Sequence, residues 1–214
     1  MRVFSILFWA LTASVSAETI SLLPKTGLEG WSVDIPKGDG SKTFYLEDGM
    51  LKTTGKPLGH LYTEQAFGNY VLTIEYRYPE KAGNCGVMVH STAKGFLKGV
   101  FPRSIEVQLM SGKAGDIIAI GENVVGYNGK STPKLIGQAK TRYLKRLVLD
   151  AENQVGEWNT MVILAMADTL TTTVNGHLMN VIKDCSVSKG MIALQSEGAP
   201  VEFRRLDLTP LPKK

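Results

Sequence analysis

Two short stretches carry proton-exchanging and hydroxyl-binding side chains at the spacing of a β-strand. In Ser104–Met110, Ile105, Val107 and Leu109 alternate with Glu106 and Gln108; in Gly86–Ser91, Val87 and Val89 alternate with Met88 and His90. Successive strand residues point to opposite sides of a sheet, so a period of two predicts half-buried strands with the apolar sets facing the core. The opposite side would ordinarily carry Lys, Thr or Ser toward water. Here it offers a carboxylate, an amide and an imidazole, groups that move protons and grip hydroxyls. Glu106 and His90 are the candidate catalytic residues, with Gln108 beside them to bind substrate. The competing readings are a solvated Glu on an outer sheet and a hydrogen-bonded structural His.

Other residues could complete a cleft around that face. Asn84, in Gly83-Asn84-Cys85-Gly86, reads equally as turn chemistry or as a hydroxyl-binding side chain. Asp116 and Glu122 flank the apolar Ile117–Ile120 and are placed on one rim; Gln195 and Glu197 precede the last strand and are placed on the other. Glu64 joins the substrate-binding set. His60 is expected at the rim, His177 in solvent beyond a hairpin turn, and Trp158 at the edge of the core. No H-x-H, H-E-x-x-H or D-x-D-x-D pattern is present, so the sequence calls for no cofactor. A divalent metal held by His90 and Glu106 on neighbouring strands stays open. Cys85 and Cys185 are the only cysteines and admit two readings, one disulfide across a long loop or two buried thiols.

These side chains need a β scaffold, and the chain reads as one almost throughout. Asp48-Gly49 joins Phe44–Glu47 to Met50–Thr53, and Asn175-Gly176 joins Leu170–Val174 to His177–Ile182; both dipeptides are tight hairpin cues. Asn69–Tyr78 predicts the longest strand, with Tyr70, Leu72, Ile74, Tyr76 and Tyr78 on one face. Asn159–Met166, Gly190–Gln195 and Val201–Leu208 predict further strands. Gly121–Leu144 is polar and weakly periodic, and reads as a loop with one short strand, an insertion of the kind that carries binding groups. Many short strands with regular turns predict an all-β fold, a jelly-roll sandwich of two antiparallel sheets.

Of 214 residues, 43% are hydrophobic and 21% charged, as in a globular protein with a sizeable core. The net charge of +4 is spread without basic runs or aromatic–basic interleaving, which argues against nucleic-acid binding. Met1–Ala17 has Arg2, the apolar run Val3–Leu11 and the small-residue ending Val15-Ser16-Ala17, the pattern of a secretory signal peptide. Cleavage is expected after Ala17, leaving residues 18–214 as one domain, secreted or periplasmic. No later run is long and apolar enough to span a membrane.

An ordered set of segments resembles the 3-keto-disaccharide hydrolase domain family. They are Asp48-Gly49-Met50-Leu51, Leu61-Tyr62-Thr63-Glu64, Gly68–Arg77, Gly83-Asn84-Cys85-Gly86-Val87 and Ile105-Glu106-Val107-Gln108-Leu109, followed by Gly156-Glu157-Trp158-Asn159, Val174-Asn175-Gly176, Ile192-Ala193-Leu194-Gln195 and Val201-Glu202-Phe203-Arg204. Cys85, His90 and Arg205 stand where the family more often has Ser, Arg and Asn. The resemblance implies a concanavalin A-like sandwich that acts on carbohydrate, cleaving glycosides whose ring carries a ketone at carbon 3, with Glu106 at the catalytic position. Two alternatives remain in view: a lectin-like carbohydrate-binding module, and a glycoside hydrolase using two carboxylates, Glu106 with Glu64 or Glu197.

Overall fold

The structure, a computed structural model, describes residues 17–126, 134–136 and 141–212. The expected signal peptide, apart from Ala17, lies outside the described residues. Strands are numbered β1–β19 in chain order. The back sheet runs β12 (Val125–Gly126), β17 (His177–Lys183), β16 (Thr169–Val174), β15 (Asn159–Met166), β6 (Tyr70–Arg77), β19 (Val201–Pro210), β4 (Met50–Thr53), β3 (Phe44–Glu47), with β1 (Ile20–Ser21) also paired to β19. The site sheet runs β13 (Lys134–Ile136), β14 (Thr141–Leu144), β11 (Ile117–Ile120), β10 (Ser104–Gln108), β7 (Gly86–Ser91), β18 (Met191–Ser196), β5 (Gly59–Thr63), β2 (Trp31–Asp34). β8 (Gly95–Leu97) and β9 (Phe101–Pro102) form a separate hairpin.

The period-two pattern explains both sheets. In β6 every second residue is buried, from Tyr70 through Leu72, Ile74 and Tyr76. These side chains meet Met161 and Ile163 of β15 and Leu206 and Leu208 of β19 on the same sheet, and Val87, Val89, Ile105, Val107 and Leu194 of the site sheet across the core. Both cued hairpins form, with Asp48 and Gly49 at φ 52° and 71° and Asn175 and Gly176 at φ 47° and 83°. Positive φ at both central residues gives the turn a twist that matches its flanking strands.

The β8–β9 hairpin folds as a strap over the outward face of the site sheet. Met88 and Ala193 point away from the main core, yet both are fully buried in a second apolar cluster with Phe101 and Ile120. Leu97, Val100 and Tyr62 pack against that cluster. Two sequence expectations are corrected here. Among its described residues, the passage 121–144 contains three short strands, β12, β13 and β14, instead of one, each too short to show a period. Of the two readings for the cysteines, the free one holds: Cys85 and Cys185 are both buried and unpaired.

Candidate functional site

The site begins with a missing side chain. Gly86 opposes Gln108 across the β7–β10 ladder. A Cβ at Gly86 would lie 2.4 Å from Glu106 Oε1 and 2.8 Å from Gln195 Oε1. The carboxyl of Glu106 and the amide of Gln195 therefore occupy the hollow that glycine leaves, one reaching in from each neighbouring strand. Glycine inside a strand commonly marks such a close approach.

Glu106 is only 3% exposed. Burial pushes its pKa up to about 8, the charge of Glu197 adds to the rise, and Gln195 opposes it. Glu197 is itself pushed up to about 7 by burial, with Lys98 pulling the other way. Two interacting carboxyls that titrate near neutrality can hold or release a proton at ordinary pH. Gln108 is fixed by its own turn: its Oε1 accepts from the backbone N–H groups of Leu109 at 2.9 Å and Met110 at 2.8 Å. That leaves its amide nitrogen as the donor it can offer.

Three acceptor oxygens here, Asn84 Oδ1, Glu106 Oε1 and Gln195 Oε1, are buried without a hydrogen-bond partner. Buried polar groups are normally paired, so unpaired acceptors grouped on one floor suit a ligand rich in hydroxyl donors.

The other candidates fall elsewhere. His90 does not share the Glu106 face. Its backbone has φ 51°, at a register shift between β7 and β18. This bulge breaks the alternation and turns the ring toward the core, edge-on to Tyr70 at 5.9 Å. Burial lowers its pKa, and both ring nitrogens lack partners. The metal pairing of His90 with Glu106 is therefore split between the two sides of the sheet, and no group of three or more His, Cys, Asp or Glu side chains among the described residues is arranged to hold a metal ion.

Asp116 is fully buried as a structural anchor, accepting from Tyr143 Oη at 2.6 Å, the Arg146 backbone N–H at 2.8 Å and Arg146 Nη1 at 3.2 Å. Glu122 is held by Arg103 Nε at 3.0 Å and Ser186 Oγ at 2.6 Å. Neither offers a free carboxylate at a cleft rim. Glu64 is exposed beyond the far end of β5, accepting from Ser32 Oγ at 3.2 Å. It lines a separate cavity of about 400 Å³ with Trp31 and Gln65, away from Glu106.

His60 is wholly buried rather than at the rim, its nitrogens 3.0 Å from the carbonyls of Val100 and Ala93 in the strap's legs. His177 is exposed, as expected. Trp158 is not at the core edge: it is half-buried between the guanidiniums of Arg77 at 4.5 Å and Arg204 at 4.4 Å. Sequence reasoning passed over Gly86, which was legible as a glycine within a strand.

A two-sheet jelly roll with a recessed carboxyl and unpaired acceptors on one sheet belongs to the class of architectures found in glycoside hydrolases and carbohydrate-binding modules. Residues 18–209 match the 3-keto-alpha-glucoside-1,2-lyase-like domain, and the chain belongs to that family. No curated protein matches it significantly. Among solved structures, a candidate glycosyl hydrolase from Parabacteroides distasonis is similar over 91% of this chain and 100% of its own, with 18% identity and a TM-score of 0.64. A β-glucanase from Bacillus licheniformis covers 92% of this chain and 100% of its own at 9% identity and a TM-score of 0.57. A carbohydrate-binding module from Bacillus subtilis covers 83% and 94% at 11% identity and a TM-score of 0.55. At these identities the shared property is the fold.

Proposed function

We propose that this protein is an exported enzyme that cleaves the glycosidic bond of 3-keto-glycosides, with Glu106 as the base. The observation that carries the reading is Glu106 itself: a buried carboxyl raised to about 8, with one oxygen unpaired, over a floor of hydroxyl acceptors. A ketone at carbon 3 acidifies the proton on carbon 2. Glu106 takes that proton, and the C–H electron pair forms the C2–C3 double bond while the carbonyl π pair moves onto oxygen. When the carbonyl re-forms, the C1–O bond breaks, its electrons leave with the aglycone, and a C1–C2 double bond results. Glu197 lies within electrostatic reach and supplies a proton to the leaving oxygen. Water then adds to the enone. The family match supports the ketone; the apolar leader Val3–Leu11 supports export.

The same pair of carboxyls favours one other reading, a two-carboxylate hydrolase acting on unoxidised glycosides. Glu197, not Glu64, is the partner the geometry supports for it. One assay separates the readings: leaving-group release from a 3-keto-glucoside and from its unoxidised parent, using wild type, Glu106→Gln and a chelator-treated sample. Release from the keto substrate alone, lost in Glu106→Gln, is expected. Loss on chelation would add a metal requirement. Release from the parent would establish the hydrolase, and sugar binding without release would leave a carbohydrate-binding module.

A further inference from the structure

The strap lies beside the Glu106 floor, and its tip is a cation: Leu97 and Val100, on either side of the tip, pack against the cluster of Met88, which pairs with Glu106 across β7–β10 and lies 3.9 Å from Gln195 Nε2. Lys98 and Gly99 form the tip with φ 54° and 67°, and Val100 N–H closes the turn on Leu97 O at 3.0 Å. The legs are fixed on both sides. His60 meets the carbonyls of Ala93 and Val100, and Gly95 N–H donates to Asp34 Oδ2 at 3.0 Å. Phe101 is sunk in the apolar cluster beneath, and Arg103 is tied to Glu122. A hairpin held at this many points places its tip with little freedom.

Lys98 nonetheless makes no hydrogen bond or ion pair with another residue. Its charge acts on Glu197, which in turn acts on Glu106 in β10, Cys85 just before β7 and Tyr78 just beyond β6. All of those neighbours are acids or neutral. Among the described residues, Lys98 is the cation presented to this cluster.

We propose that Lys98 is a catalytic residue, the cation that stabilises the enolate oxygen formed when Glu106 removes the carbon 2 proton. This rests on the elimination reading. Proton removal places a full negative charge on the carbon 3 oxygen in a site already holding two carboxyls, and such a charge needs a positioned cation. Glu106 supplies the base from the floor, so the developing charge is met from the roof, where the strap holds the exposed Lys98 on a pinned turn. No further reactant is required, since Lys98 stays protonated and transfers nothing.

The test uses the full-length protein, with Lys98→Met and Lys98→Arg beside wild type. Two readouts are taken: leaving-group release from a 3-keto-glucoside, and exchange of the carbon 2 proton of 1,5-anhydro-3-ketoglucitol in D2O, a probe with no leaving group. Lys98→Met is expected to slow both release and exchange by about 100-fold with KM changed only a few-fold, as loss of an oxyanion donor does. Lys98→Arg, which keeps the charge, should stay within about tenfold of wild type. The limb of the pH profile belonging to Glu197 should also move upward in Lys98→Met, because a cation that lowers that pKa has gone. The exposed position of Lys98 keeps the fold out of the comparison, and unchanged thermal melting checks this. Wild-type exchange with Lys98→Met within twofold of it would overturn the assignment while leaving the elimination reading intact. No exchange or release by wild type would overturn both.

Discussion

At the scale of single residues, the raised pKa of Glu106 ties function to stability. The folded protein holds its proton between the ordinary 4.5 and about 8, whereas the unfolded chain has released it. The folded state therefore binds more protons in that window, and stability falls as pH rises through it. At the 1.36 kcal/mol that each pH unit represents, the cost above pH 8 is about 3–5 kcal/mol. Glu106→Gln should thus lose catalysis by about 100- to 10,000-fold, the usual contribution of a general base, yet melt higher than wild type at pH 9 and near it at pH 4.5. Calorimetry at the two pH values checks the sign. In wild type, the competent form has Glu106 ionised and Glu197 protonated, so the rate should trace a bell with its maximum between about 7 and about 8. Gly86→Ala is a second probe, because its methyl would press on both Glu106 Oε1 and Gln195 Oε1. It should lower kcat by about tenfold or more with the secondary structure unchanged in far-ultraviolet circular dichroism, a misplacement effect. That Glu106 and Gln108 share one side of their strand was legible because the alternation of Ile105, Val107 and Leu109 around them is unbroken. His90 was misread for the opposite reason: a bulge inverts its side, and nothing in Val87–Ser91 announces the extra residue.

At the scale of elements, the strap decides what the outward face of the site sheet can do. It buries Met88 and Ala193, which alternation alone would leave exposed. His60 is the central fastener. Burial keeps the ring neutral, so it donates one N–H; replacing it with Phe would keep ring volume but leave the Ala93 or the Val100 carbonyl without that donor, at about 1–3 kcal/mol. The expected result is faster tryptic cleavage after the exposed Lys94, followed by mass spectrometry, and loss of keto-glycoside turnover as Lys98 loses its fixed tip. Equal cleavage rates would show the legs to be held without His60. The hairpins at Asp48-Gly49 and Asn175-Gly176 could be read from sequence because their dipeptides demand positive φ. The strap could not, since Phe96, Leu97, Val100 and Phe101 show no period and Lys-Gly is a weaker cue. The same holds for β12 and β13, two and three residues long, where local sequence carries too little pattern for a strand to declare itself.

At the scale of the whole molecule, the two sheets divide the labour. The outer side of the back sheet carries a charge lattice, with Glu202 joining Arg77 at 2.7 Å and Lys52 at 3.1 Å, and Trp158 lying between Arg77 and Arg204. Trp158→Ala should cost about 1–2 kcal/mol through two partly exposed cation–π contacts while leaving turnover unchanged, which thermal melting and the keto-glycoside assay can measure together. A loss of turnover would place sugar binding on the back sheet instead. The strand order has another consequence, for the time course of synthesis. β6 is held between β15 and β19, and β18 fills the gap between β7 and β5. A nascent chain that has made β6 and β7 has no neighbour yet for either, and both present unpaired edges of the kind that aggregate. It must wait for β18 and β19, and with β18 come Gln195 and, just beyond it, Glu197. The barrier to premature folding and the barrier to premature activity are thus one, and both fall only once these two strands have emerged.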